Sequence, residues 1–538
     1  MMERAGTRVR PWMGLAAVLL AGAASSAPIS RPGWVWTESD LVANPPVLAE
    51  AEVTGGRRAS IRATTAQSIR WALDPGRPRG PWGGEYLPLR DLTIISDRVL
   101  WNLGPVGSDA LGFRLSSLFW HLLACAAAWG LVRRWTGSDM AACIAAALFA
   151  VHPVHAESVL LPANRKDPLF AALVLAALIL VDRKRGRAAV CGTLAYAGAL
   201  SSKLAALGAI PWMLLERLSG QRRPGAAAVA ACVALALAAG LVGLRIGRSE
   251  RVVLEKSPWG TPPAAAAAFL GSAGDGILAL AWPQNLHPYH PANLHALGSG
   301  AFPLRAPWLV GIGVLALLPL AFRLVRTFRP GPAPEGPLRS FGGWFWCWLI
   351  PVSPIVAIGI LRADRYLYLP ALSAGLILAW AVSRAGPRRA AVPAVIALLA
   401  LLVSSRALQP AFADNPSFWR AVLRKSPNHF DALVTRARLL TDAGRPERSL
   451  ETLRRAEALL CEASPEADAD FLGPRAFHLL AARKRARLEM GDPAGATRAV
   501  EEGIARHGRW LKPGHLEILR AIVRSESDPG RRLPPRSP

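Results

Sequence analysis

Apolar runs recur along the first 408 positions of this chain, and every second one ends in a cluster of arginine or lysine. A run of roughly 20 apolar residues is a helix that crosses a bilayer, and basic clusters mark the cytoplasmic ends of such helices. This alternation restricts the chain to a polytopic all-α membrane protein. Its 538 residues are 52% hydrophobic, too apolar for an ordinary soluble protein. The formal charge of +26 does not point to nucleic acid, because the basic residues gather at run ends instead of along one face. The six cysteines form no CxxC pair and five lie inside apolar runs, so they read as small core residues.

Charge parity orders the runs. Residues 11–28 read as a retained first helix, with a signal peptide as the alternative. A mixed loop, 30–112, follows, with Trp34, Trp36, Trp71, Trp82 and Trp101 as packing or interfacial residues. Then come 113–131, 139–151, 169–181, 188–200, 204–215 and 226–244. The run 264–282, interrupted by Gly271, Gly274, Asp275 and Gly276, reads as re-entrant or interfacial. The runs 307–324, 342–361, 366–382 and 390–404 complete eleven predicted spans, N-terminus cytoplasmic and C-terminus outside.

Beyond Asn415 the composition is that of soluble helices. Predicted helices 429–443 and 447–460 flank Gly444-Arg445-Pro446, and 476–490 and 494–507 flank Gly491-Asp492-Pro493. Small residues recur at matching offsets (Ser449 and Ala496, Ala456 and Gly503), so the pairs resemble TPR repeats. The TPR period is about 34, and the longer spacing here makes 462–473 an insertion. Helix 513–524 is a cap, and 526–538 reads as a disordered tail.

Polar residues beside the apolar runs are functional candidates, because charge is costly near a bilayer core. The stretch 151–186 carries His152, His155, Glu157, Arg165, Lys166 and Asp167 between two apolar segments. Snorkelling explains Arg165 and Lys166 but not the acids and imidazoles beside them. Glu157 and Asp167 could hold a divalent metal or orient the basic groups; a metal at His152 and His155 is a further alternative, though Pro153 breaks the helix that would align them. Lys203 follows Ser201-Ser202 at a helix end predicted outside. Trp282 and Tyr289 sit in a Pro- and His-rich loop, where interfacial anchoring is the plain alternative. Asp364-Arg365-Tyr366 opens another run, where Arg365 needs an anionic partner. Glu38 and Asp40 follow the first helix; one of them would be a general base, and a solvated loop or helix cap is the plain alternative. His121 reads as a packing histidine.

His152-Pro-x-His155-x-Glu157 with Arg165-Lys166-Asp167, Trp282-Pro-x-x-Leu286-x-x-Tyr289-x-Pro291 and Ala363-Asp364-Arg365-Tyr366-x-Tyr368-Leu369-Pro370 stand in one order along the chain. In that order, and with the helical appendage, the chain resembles the bacterial and eukaryotic transmembrane-and-TPR proteins. These are GT-C-type membrane glycosyltransferases whose eukaryotic members are protein O-mannosyltransferases. It departs from their pattern where Thr37-Glu38 replaces an Asp pair and where Arg114 and Ser117 replace His and Asn.

The resemblance implies a GT-C fold and a polyprenyl-phosphate sugar donor, with transfer to a Ser/Thr hydroxyl of an acceptor polypeptide on the outer face. It implies Asp40 or Glu38 as base and Arg365, Arg165, Lys166 and Lys203 around the donor phosphate. His152, His155, Glu157, Asp167, Asp364, Tyr366, Trp282 and Tyr289 support them. No cofactor is implied beyond the divalent metal left open. The rival expectation is a non-enzymatic membrane-anchored TPR scaffold, and a third is a transporter or a lipid-linked polymer ligase; the lack of a visible inverted repeat counts against the transporter.

Overall fold

The computed structural model describes residues 11–27, 35, 57–76, 85–101, 110–182, 186–218, 225–249, 261–290, 308–327, 343–353, 360, 362–462, 469–511 and 513–526. Among them every regular element is a helix. The first fifteen are α1 (Pro11–Ser26), α2 (Arg57–Leu73), α3 (Pro88–Trp101), α4 (Leu111–Thr136), α5 (Asp139–Val151), α6 (Ala156–Leu160), α7 (Lys166–Val181), α8 (Gly186–Leu200), α9 (Ala209–Leu218), α10 (Ala226–Ser249), α11 (Pro262–Ala281), α12 (Trp308–Thr327), α13 (Phe345–Leu349), α14 (Ala371–Ala385) and α15 (Pro387–Leu408). Six more form the C-terminal unit: α16 (Asn415–Lys425), α17 (Phe430–Asp442), α18 (Pro446–Cys461), α19 (Ala469–Glu489), α20 (Pro493–His507) and α21 (Pro513–Glu526).

Five of the described helices are long and apolar enough to cross a membrane: α4, α10, α11, most of α12, and 391–412. A sixth arises if α5 and the segment Pro153–Leu160, bent by 49°, count as one span. The bend falls where Pro153 ends the helical hydrogen bonding. Helices α1 and α14 are apolar but shorter.

Small side chains set the packing. Glycine and alanine let helix backbones approach closely, the usual device where helices pack in lipid. A methyl on Gly375 of α14 would strike the Ala145 carbonyl of α5, and one on Gly274 of α11 would strike the Leu309 carbonyl of α12. The glycines of 264–282 therefore do not interrupt it. Of the re-entrant or interfacial expectation, the re-entrant half is corrected: the segment is one continuous 20-residue helix, long and apolar enough to cross a membrane, its glycines seating it antiparallel to α12.

Two other runs differ from expectation. The run 342–361 gives, in its described part, only α13 and a tight turn at Ile350–Val352, because Pro351 has no N–H to continue the helix. The loop 30–112 contains α2 and α3.

The bundle has two distinct ends. Helix α1 runs parallel to α5, with Gly14 against Cys143 and Gly22 against Ala150, and Ser25 donates to the Ala150 carbonyl at 2.9 Å. Ser405 near the end of α15 donates to Val151 O at 2.6 Å, and Gln409 donates to Ser25 O at 2.8 Å. Hence α1, α5 and α15 finish at one end, and the C-terminal unit begins there. At the opposite end Arg134 meets Asp182 at 3.0 Å, and Arg323 meets Glu216 at 2.8 Å.

The turns of the C-terminal unit follow its sequence closely, while α19 begins at Ala469, inside the stretch 462–473 read as an insertion. Gly444 and Gly491 adopt φ of 68° and 72°, the left-handed conformation that lets α17 and α19 stop. Pro446 and Pro493 then open α18 and α20 at the first helical turn, where a missing N–H costs nothing. Helix α16 was not anticipated; its Asp414 cap accepts from Ser417 N at 2.7 Å.

Candidate functional site

The end that carries the C-terminal unit also gathers residues from five separated stretches. His152 closes α5, and its Nδ1 accepts from Val154 N at 3.2 Å. That leaves Nε2 to donate to Leu280 O at 3.1 Å, tying the turn to the end of α11. Four positions later α6 begins, short and wholly buried, with Glu157 in its first turn.

Glu157 reaches across 208 positions to Arg365. Its Oε1 pairs with the guanidinium, and its Oε2 accepts the Arg365 backbone N–H at 3.1 Å. Asn164 adds a donor to Oε1 at 3.3 Å. The carboxylate is buried and the guanidinium largely so, and each is the other's main compensation for lost water.

Two lysines flank this pair. Lys203, in extended backbone between α8 and the following turn, pairs with the fully buried Asp167 of α7. Lys166 pairs with Glu85, just ahead of α3. Burial pushes the Glu85 carboxyl up, but Lys166 and Arg90 outweigh it and hold it at about 2. The Tyr366 ring lies between two of the cations, 5.4 Å from the Arg365 guanidinium and 5.7 Å from the Lys203 ammonium. Cations over an aromatic face are held by the ring quadrupole.

Arg165 is placed differently from its neighbours. It is fully buried; its guanidinium pairs with Asp97 of α3 and donates to Phe113 O at 2.7 Å, Ser117 Oγ at 3.2 Å and Thr93 O at 3.3 Å. Those partners lie on α3 and α4, so this arginine fastens three segments together and its donors are occupied.

Asp364 faces the other way. Its Oδ2 accepts the His287 backbone N–H at 2.7 Å and its Oδ1 meets His290 Nε2 at 2.6 Å. Burial raises the Asp364 carboxyl, while His290 and Arg362 draw it down further, so it stays below the usual carboxylate range. Arg362 itself pairs with Asp275 of α11. The sequence marks His290 only as one of the histidines of the loop beside Tyr289 and does not mark Arg362, two positions before Asp364; no local periodicity distinguishes either.

The remaining candidates divide. Tyr289 is 5.1 Å from the His429 ring and 6.1 Å from Trp419, so it belongs to the seam with the C-terminal unit. Trp282 is 65% exposed at the end of α11 and takes no part in the cluster. His155 is 1% exposed, packed on Tyr368 at 4.4 Å and Phe149 at 4.6 Å. His121 is buried and its Nδ1 lies 2.6 Å from Tyr368 Oη, a hydrogen-bonded packing group as read from sequence. Among the described residues no three His, Cys, Asp or Glu side chains converge as metal ligands.

Glu38 and Asp40 lie outside the described residues. Val35, three positions before Glu38, is fully buried in a cluster with Ala156, Leu160 and Leu161, the segment that carries Glu157. Models of known protein families give no match to the chain, and no curated protein matches it.

Proposed function

We propose that the protein is a GT-C-type membrane glycosyltransferase. It moves a sugar, mannose in our reading, from a polyprenyl-phosphate donor to an acceptor hydroxyl. The observation that carries this reading is the layer of Arg365 and Lys203 about Tyr366, with Lys166 on Glu85 beside them. Three cations from distant segments meet at one end of an apolar bundle, each held by a carboxylate. An anionic phosphate at the bilayer surface is the partner such a layer suits. Arginine offers it forked donors and lysine a point charge.

In this mechanism the donor phosphate takes over hydrogen bonds that Glu157 and Asp167 now accept. Positive charge fixed beside the leaving phosphate stabilises the charge that develops as the sugar–oxygen bond breaks. A phosphate leaving group needs no acid, so a single carboxylate as base suffices. Arg165 serves as the support of the layer and not as its ligand, since its donors are filled.

The basic end with Arg134 and Arg323 faces the cytoplasm in this reading, and the cluster and the C-terminal unit face outside. The paired helices of the C-terminal unit, TPR-like in their Gly-x-Pro turns, would dock the acceptor polypeptide beside the site.

One observation favours the scaffold reading instead: Arg165, Lys166, Lys203 and Arg365 all have carboxylate partners, as purely structural charges would. Assay of membranes for transfer of labelled mannose from polyprenyl-phosphate-mannose to endogenous protein separates the two. Transfer is expected, and Asp40→Asn or Glu38→Gln, one of them, abolishes it. No transfer above empty membranes with any sugar would leave the scaffold.

A further inference from the structure

The segment Trp282–His290 touches both the cluster and the C-terminal unit. On one side His287 N–H and His290 Nε2 hold the two oxygens of Asp364, at 2.7 and 2.6 Å. On the other side Lys425 donates to Gln284 O at 3.2 Å and also to Leu286 O. His287 is 3% exposed and makes both contacts at once. Its Nδ1 accepts from Tyr289 N at 3.2 Å, which fixes the ring proton on Nε2, and Nε2 lies 3.1 Å from Ser426 Oγ. Ser426 ends α16, and His429, three residues on, caps α17.

We infer that His287 and His290 are positioning residues that couple the C-terminal helices to Arg365 through Asp364. The connection is short: Ser426 to His287, His287 and His290 to Asp364, and Asp364 by one peptide bond to Arg365. A second contact runs alongside it, since α16 and the start of α17 share a core with α6 through Phe418, Trp419, Val422, Ala432, Ala156 and Leu160. The residue that pairs with Arg365, Glu157, sits on that same helix. Both members of the Glu157–Arg365 pair are therefore seated against the C-terminal unit. An acceptor docked on those helices acts on the site through these contacts, and removing the helices releases it. Coupling of this kind needs a chain of packed and hydrogen-bonded groups, and here each link is a named contact.

The inference rests on the proposed function only for what Arg365 does. Its test uses no ligand: amide hydrogen exchange of the full-length protein in lipid nanodiscs, comparing wild type with His290→Ala, His287→Ala and Ser426→Ala. In His290→Ala the peptide covering 362–368 is expected to exchange at least tenfold faster, while α17 keeps its protection. Ser426→Ala, which removes one hydroxyl that makes no contact with Asp364, is expected to speed the same peptide by a smaller factor. Unchanged exchange at 362–368 in both variants overturns the coupling. Should His290→Ala also unprotect α17, the Ser426→Ala result decides alone. Wild type that fails to bind polyprenyl phosphate would sink the function and leave this coupling standing.

Discussion

Two ends of the bundle hold buried arginine–glutamate pairs, and they differ in what surrounds them. At the far end, Arg323 and Glu216 are 1% and 5% exposed and lie among tryptophans. Arg323 stacks 5.1 Å from Trp212, whose ring meets Trp344 at 5.1 Å and Trp135 at 5.3 Å. Even Gly343 has no side chain because Arg323 occupies the space. At the other end, Arg365 and Glu157 have as neighbours two more ion pairs, a tyrosine and a polar strap. Burial of charge is common to both, so burial alone does not mark a site. What distinguishes the second is the number of charges brought together from separate segments.

The largest expected effect breaks the far pair. Glu216→Leu alone leaves a buried cation and is expected to cost about 3–5 kcal/mol in thermal or denaturant unfolding. Glu216→Leu with Arg323→Met removes both charges and recovers most of that loss, since an apolar replacement of a buried pair is often neutral or stabilising. Sugar transfer by the double variant stays near wild type. A double variant as unstable as the single one would show that the far pair has a role beyond packing.

The equivalent change at the site end sharpens the contrast. Arg365→Gln with Glu157→Gln keeps the fold within about 2 kcal/mol but weakens polyprenyl-phosphate binding at least tenfold, about 1.4 kcal/mol. Arg165→Ala behaves like the far end: it lowers the unfolding temperature, with loss of binding following loss of fold.

How much of this the sequence disclosed varied with the range of the interaction. The C-terminal pairs were legible because Gly444, Pro446, Gly491 and Pro493 act on their own backbone within a few residues. The motif positions Glu157, Lys203 and Arg365 were legible by type, since charge beside an apolar run needs a reason. Their pairing was not: Glu157 meets Arg365 across 208 positions, and Arg165 finds Asp97 and Thr93 in a stretch read as loop. Nor could a sequence tell that Gly274 of α11 is a packing seat, because a glycine that breaks a helix and one that admits a neighbouring backbone look alike until the neighbour is known.

Smaller effects probe the units on either side of the seam. Gly491→Ala forces a side chain into φ of 72° and is expected to cost the C-terminal unit about 1 kcal/mol, read as its own unfolding step, with the bundle unaffected. The smallest concerns Glu85. Its carboxyl is held at about 2 against an ordinary 4.5, so it adds stability above 4.5 that is lost as pH falls through 2. Lys166→Met should flatten that acid dependence, and an unchanged acid profile would mean the pair contributes nothing.

The most direct measurement is equilibrium binding of polyprenyl phosphate, with the uncharged polyprenol as control, to wild type, Arg365→Gln and the Glu216→Leu, Arg323→Met double variant. The account predicts that wild type prefers the phosphate, that Arg365→Gln loses this preference at least tenfold, and that the far-end double variant keeps it. Equal binding of phosphate and alcohol by wild type, or a preference untouched by Arg365→Gln, would contradict it.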